Sequence, residues 1–145
     1  VSQMQIRSFL ASLLIGWGWC SITAAADHTA DPLPKVRELV ESKKAVLIDV
    51  REQVEWDAGH IEGAKLVPLS KLKTRLSEAE MQKLFPADKI IYLYCAGGYR
   101  CLDVAEMFEN GPWDLRALKY GYVNLVQAGF PKSRPSDASP VPAKP

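Results

Sequence analysis

The chain has 145 residues, 48% of them hydrophobic, with 18 Lys and Arg against 17 Asp and Glu for a formal net charge of +1. That length suits one domain, and the composition is that of an ordinary soluble globular protein. So even a charge balance implies no nucleic-acid partner. The chain has no internal repeat, and its two histidines, His28 and His60, stand far apart and near no matching cysteine pair, so no metal site is expected.

The first segment differs from the rest. From Ser8 to Ile22 there is no charge, and Leu, Ile, Ala and Trp dominate. Arg7 precedes this run, and Thr23-Ala24-Ala25-Ala26 follows it before Asp27. A basic start, an apolar stretch of roughly 7–15 residues and an A-x-A site make a secretory signal. The run is short for a membrane span, which needs about 20 apolar residues. Trp19 stands where a lipoprotein signal needs a small residue, so Cys20 is read as part of the removed segment. Residues 1–26 are thus expected to be a cleaved signal peptide. The cut would remove Arg7 alone among the charged residues, leaving 17 basic and 17 acidic groups.

Asp31-Pro32-Leu33-Pro34 opens the remaining chain. Val36, Leu39 and Val40 recur at helical spacing, with Lys and Glu on the other face. Ala45 to Val50 is an apolar run closed by Asp49 near its end, which fits a strand buried on both faces of a parallel sheet. Val54-Glu55-Trp56 predicts a short helical turn ended by Gly59, with Trp56 in the core. Gly59 to Ala64 predicts a turn-rich link, in which His60 ties the backbone. Lys65 to Pro68 predicts a short strand. Ser70 is expected to cap a helix carrying Leu72 and Leu76. Ser77-Glu78-Ala79-Glu80 has the pattern of a capping box and predicts a helix to Phe85.

The next stretch organises the chain. Ile90 to Tyr94 is rich in β-branched and aromatic residues and ends at Cys95. Ala96-Gly97-Gly98-Tyr99-Arg100 follows as a loop, and Leu102 to Asn110 predicts a helix burying Val104, Ala105 and Phe108. Cys95 therefore lies where a strand hands over to a helix N-terminus. Glycines there let backbone amides turn inward around an anion, and the helix dipole adds to them. A cysteine so placed is held as a thiolate. Leu115 to Leu118 predicts a weak strand, and Val123 to Ala128 a short helix with Gly129 and Pro131 beyond. Residues 132–145, rich in Pro, Ser and Lys, predict a flexible tail. Alternating strands and helices give an α/β domain with a mostly parallel sheet, flanked by helices.

After the signal is removed, Cys95 and Cys101 remain. A bridge between them would close a tiny ring and staple nothing distant, so a reactive role is expected for at least one. Cys101 also begins the stripe of Val104, Ala105 and Phe108. That makes it either a small buried helix-start residue or a resolving thiol for Cys95. Asp49 and Arg51 are expected to order the neighbouring loop by charge-assisted hydrogen bonds.

The sequence resembles the rhodanese family of sulfurtransferases. Asp49-Val50-Arg51-Glu52 with Glu55-Trp56, Gly59 to Ala64 and Val67-Pro68-Leu69 carry the resemblance, together with the loop Cys95 to Arg100. Ala117 to Gly121 and Ala128 to Pro131 match the family's C-terminal signature. The resemblance spans roughly Val36 to Pro131, so residues 27–131 are expected to form a rhodanese-like domain. With its signal segment the chain looks most like the small periplasmic single-domain rhodaneses of the phage-shock type. It departs from the family at Tyr122, where a second glycine is usual, at Leu125, near which a tryptophan is usual, and at Cys101, usually serine or another small residue.

The resemblance implies that Cys95 takes a sulfane sulfur from a small anion such as thiosulfate and passes it to a thiophilic acceptor, cyanide in an assay, without a cofactor or metal. Amides of Ala96 to Arg100 would hold the persulfide, and Arg100 would steer the anionic donor. Two other readings compete. A phosphatase of the related fold has five residues between its cysteine and arginine. Here there are four, Ala96 to Tyr99, a ring better sized for sulfur. A non-catalytic sulfur carrier or thiol redox sensor would cycle Cys95 and Cys101. Whether the protein is a monomer or a homodimer is left open by the sequence.

Overall fold

A computed structural model describes residues 26–133. The expected signal segment, apart from Ala26, and the tail beyond Ser133 lie outside the described residues. The elements, in chain order, are α1 (Leu33–Glu41), β1 (Ala45–Asp49), α2 (Gln53–Ala58), β2 (Lys65–Leu66), α3 (Leu69–Leu72), α4 (Glu78–Leu84), β3 (Ile90–Tyr94), α5 (Tyr99–Met107), β4 (Asp114–Ala117) and α6 (Tyr122–Gln127).

The four strands form an all-parallel sheet in the order β2-β1-β3-β4. β1 and β3 are central, as their nearly unbroken apolar runs require, since both faces are covered. Successive side chains alternate between the faces. Ile91, Leu93 and Cys95 enter one core layer with Ile48, Val50, Leu69, Leu72, Met81, Val104 and Ala105. Tyr92 and Tyr94 enter the opposite layer with Val36, Leu47, Leu118, Leu125 and Phe130. Helices α3, α4 and α5 thus supply one face, and α1 and α6 the other.

The predicted elements are present, with local differences. The helix expected to carry Leu72 and Leu76 is the single turn α3, which ends at Leu72 and leaves Leu76 in the link to α4. Ser70 is not a cap: Pro68 occupies that position, and the Ser70 hydroxyl donates to Glu52 at 2.6 Å. The helix after Cys95 begins at Tyr99 rather than Leu102 and ends at Met107 rather than Asn110. Its first turn escapes a search for apolar spacing because Tyr99 is 79% exposed. Trp56 belongs to neither core layer but stacks on His60, with ring centroids 3.5 Å apart and planes 7° from parallel. The capping box at Ser77 is formed as read, with Ser77 Oγ accepting from the Glu80 amide.

Candidate active site

Cys95 follows the last residue of β3, at the carboxyl edge of the sheet. This is the edge where open α/β sheets hold their ligands. The chain reaches α5 in three residues. Gly98 makes the turn at φ +88° and is the N-cap of α5. Such a backbone angle favours glycine, because a Cβ would crowd the following carbonyl.

The Gly98 amide donates to Cys95 Sγ at 3.0 Å. The amides of Gly97 and Cys101 and the Cys101 side chain lie close enough to act on that sulfur as well. Cys95 is 1% exposed and Cys101 is fully buried. The Cys101 thiol, donating to the Cys95 sulfur, is the largest influence on Cys95; burial opposes it, and the three amides add to it. Together they bring Cys95 from its ordinary 9.0 down to about 5. The same contact, reinforced by burial, pushes Cys101 upward. So the pair shares one negative charge, which rests on Cys95, while Cys101 keeps its proton. Both are free thiols.

Tyr99 and Arg100 are the first two residues of α5, so their amides have no partner within the helix. They are the donors left for a second atom beside Sγ. The Arg100 side chain is engaged elsewhere. Its two terminal nitrogens donate to the two carboxylate oxygens of Glu55 at 2.7 and 2.8 Å. This fork lowers Glu55 to about 2. Glu55 also accepts from the Glu52 amide, closing the capping box of α2. The cation expected to steer an anion therefore ties α2 to the cysteine loop with most of its charge balanced. The sequence places Glu55 in a helical turn and in a motif of the family resemblance, with no role at the site. Nothing in local spacing joins it to a residue 45 positions away.

Asp49 and Arg51 form a buried pair two residues apart. Asp49 accepts from the Arg51 amide at 2.9 Å and from its Nη2 at 2.7 Å. Arg51 Nη2 also donates to the Gly59 carbonyl at 2.8 Å, and its guanidinium lies 4.4 Å from the Tyr122 ring centre. The pair thus binds the end of β1 to the turn after α2 and to α6. Neither side chain hydrogen-bonds to Cys95, although the Asp49 charge acts on Cys101. His60 Nδ1 lies 3.1 Å from the Trp56 carbonyl, within its own turn.

Two contacts on the loop come from distant sequence. The Tyr122 amide donates to the Cys95 carbonyl at 2.9 Å, and a Cβ on Gly121 would overlap the Ala96 carbonyl. His28 Nε2 lies 3.2 Å from the Gly98 carbonyl. Gly121 belongs to the C-terminal signature on which the family resemblance rests, whereas His28 lies in no motif. A groove of about 300 Å³ between α1 and the segment Ile61 to Gly63 includes no residue of the Cys95 loop.

Residues 33–128 match the family model for the rhodanese-like domain. The chain belongs to the rhodanese-like domain family. This rhodanese-like chain is 42% identical over 81 residues to the uncharacterized protein YqhL of Bacillus subtilis (strain 168), spanning 55% of this chain and 60% of that one. It is 40% identical over 102 residues to the probable adenylyltransferase/sulfurtransferase MoeZ of Mycobacterium tuberculosis (strain ATCC 25618 / H37Rv), covering 69% of this chain but only 25% of that protein. The human single-domain sulfurtransferase TSTD1 superposes with a TM-score of 0.54 at 28% identity, covering 72% of this chain and 96% of that one. The chain therefore spans under two thirds of these two curated relatives but nearly all of a single-domain structural neighbour. It is a rhodanese-like α/β domain related to sulfurtransferases.

Proposed function

We propose that the protein is a sulfurtransferase that carries a sulfane sulfur as a persulfide on Cys95, with thiosulfate as a competent donor. One observation carries this reading. A buried sulfur is ringed by three backbone amides and a neutral thiol, so it is a nucleophilic anion at neutral pH. The thiolate attacks the outer sulfur of thiosulfate. The new S–S bond forms as the S–S bond of the donor breaks, and sulfite leaves with the electron pair. The terminal persulfide sulfur carries the charge, for which the Tyr99 and Arg100 amides are the available donors. Cyanide then attacks that outer sulfur, thiocyanate leaves, and Cys95 returns as thiolate. The cycle calls on no external acid or base, because no proton moves.

With residues 1–26 read as an export signal, the proposal extends to a periplasmic enzyme of the phage-shock type, whose acceptor is a small thiophilic compound. Fractionation of cells producing the full chain, with the N-terminus of the product sequenced, tests the location; a product retained in the cytoplasm with its leader attached would overturn it.

The decisive experiment is the mass of the Cys95 peptide after incubation with thiosulfate, beside Cys95→Ser. The expected result is a gain of one sulfur atom at Cys95, removed by cyanide with release of thiocyanate. Absence of that gain in the wild type would overturn the reading. The one alternative is a redox sensor, in which an external two-electron oxidant such as a peroxide takes two hydrogens as the neighbouring Cys95 and Cys101 join; the nearness of the sulfurs permits it, and the proton held on Cys101 opposes it. Cys101→Ser separates them, since a transferase keeps turning over and a disulfide sensor loses its switch.

A further inference from the structure

We propose that His28 is a positioning residue for the Cys95 loop, donating from Nε2 to the Gly98 carbonyl and thereby holding the Gly98 amide on the sulfur and fixing the direction of the Tyr99 amide. The inference rests on Cys95 being the reacting thiolate and adds a residue outside the matched segment 33–128.

Gly98 is the hinge of the anion ring and has no side chain with which to hold itself. Glycine at φ +88° has other conformations open to it, so its orientation must be imposed by neighbours. Two neighbours close on it. From the place a Cβ would occupy, the Lys119 carbonyl oxygen is 2.8 Å away and His28 Nε2 is 3.0 Å away. A carbonyl only accepts hydrogen bonds, so the 3.2 Å contact requires the proton on Nε2. In a planar trans peptide the carbonyl and the next amide point in opposite directions. Holding the Gly98 carbonyl against His28 therefore turns the Tyr99 amide away from His28. The same contact restrains Gly98 itself, whose amide donates to Cys95 Sγ.

His28 is itself anchored. It forms a bridge with Ala117 at the end of β4, and the Thr29 amide donates to the Ala117 carbonyl at 2.8 Å. Three residues on, the Asp31 carboxylate accepts from the Tyr92 hydroxyl at 2.6 Å and from Arg116 Nη1 at 2.8 Å. The segment from His28 to Asp31 is thus a strap across the carboxyl edge of β3 and β4, with the imidazole set on the loop.

The test uses the full chain as wild type, His28→Ala and His28→Gln. Iodoacetamide alkylation of Cys95 is followed across pH by the mass of its peptide, with thermal midpoints measured alongside. His28→Ala should move the alkylation midpoint upward and slow alkylation at pH 5 by about 2- to 10-fold, the span of one neutral hydrogen bond. His28→Gln, whose side-chain amide can donate to the same carbonyl, should recover most of the loss. A midpoint in His28→Ala equal to that of the wild type would overturn the proposal. So would a His28→Gln variant no better than His28→Ala. Sulfur uptake from thiosulfate is measured on the same samples. If the wild type takes up none while the midpoint still moves and recovers, the sulfurtransferase reading fails and the role of His28 stands.

Discussion

At the scale of single residues, the chemistry turns on which of two touching thiols holds the charge. Cys95 has three backbone amides on its sulfur, whereas burial and its anionic neighbour keep Cys101 protonated. Reactivity at Cys95 should therefore rise through about pH 5 and be level from pH 7 upward, as pH-dependent alkylation would reveal. A profile still climbing at pH 8 would contradict this. Cys101 acts here as a donor, so serine, which keeps an O–H in its place, should preserve the low midpoint. Cys101→Ala removes the donor and should raise the midpoint by about 1 to 2 pH units, the worth of a hydrogen bond to a charged group. Thiolate absorbance distinguishes the variants, and identical midpoints for serine and alanine would exclude the donor role. A neutral, buried thiol is also a poor nucleophile, so the contact that lowers Cys95 weighs against Cys101 as a resolving thiol.

At the scale of elements, the site is a place where three segments meet the three-residue turn between Cys95 and α5. α2 reaches it through Glu55 and Arg100, α6 through Gly121 and the Tyr122 amide, and the strap before α1 through His28. Gly121→Ala would drive a methyl group into the Ala96 carbonyl, so the loop or α6 must shift. It should cost about 1–3 kcal/mol in a urea unfolding curve and slow alkylation of Cys95. Wild-type stability and reactivity in that variant would show the approach to be slack. The contrast with Leu125, buried in the core of the same helix, explains what a sequence reading can reach. The strands β1 and β3, the capping box at Ser77 and the cysteine at a strand-to-helix turn were all legible, because each is written in neighbouring residues. The start of α5 was not, since Tyr99 is exposed and Arg100 is charged, so the first turn leaves no apolar period. Nor were Glu55 and His28, whose partners lie 45 and 70 positions away. Trp56 misled because a large apolar ring suggests core, whereas this one is spent on stacking against His60.

At the scale of the molecule, the parallel sheet gathers its carboxyl ends on one edge, and ion pairs secure two of the segments that cross it, α2 and the strap before α1. Asp49 with Arg51 is buried there, while Glu55 with Arg100 and Asp31 with Arg116 are partly open to solvent. This arrangement makes the edge the acid-sensitive part of the fold. Glu55 is lowered to about 2 by the Arg100 fork, and Asp31 is lowered by its bonds from Tyr92 and then Arg116. A carboxylate lower in the folded than in the unfolded chain binds fewer protons when folded. Its stabilising contribution is thus complete above the unfolded value near pH 4 and is lost as pH falls toward 2. With solvent screening, each pair is worth on the order of 1 kcal/mol. Urea midpoints at pH 6, 4 and 2.5 should therefore fall for the wild type more steeply than for Glu55→Gln, which has no carboxylate to protonate at that position. Because Glu55 and Asp31 each fasten a segment to the site, the Cys95 environment should loosen in the same acid range. Between pH 4 and 2.5, limited proteolysis should cut first within the strap before α1 or at α2, ahead of the central strands β1 and β3. Parallel slopes for wild type and Glu55→Gln, or first cuts within β1 or β3, would show that the ion pairs do not govern how this edge opens.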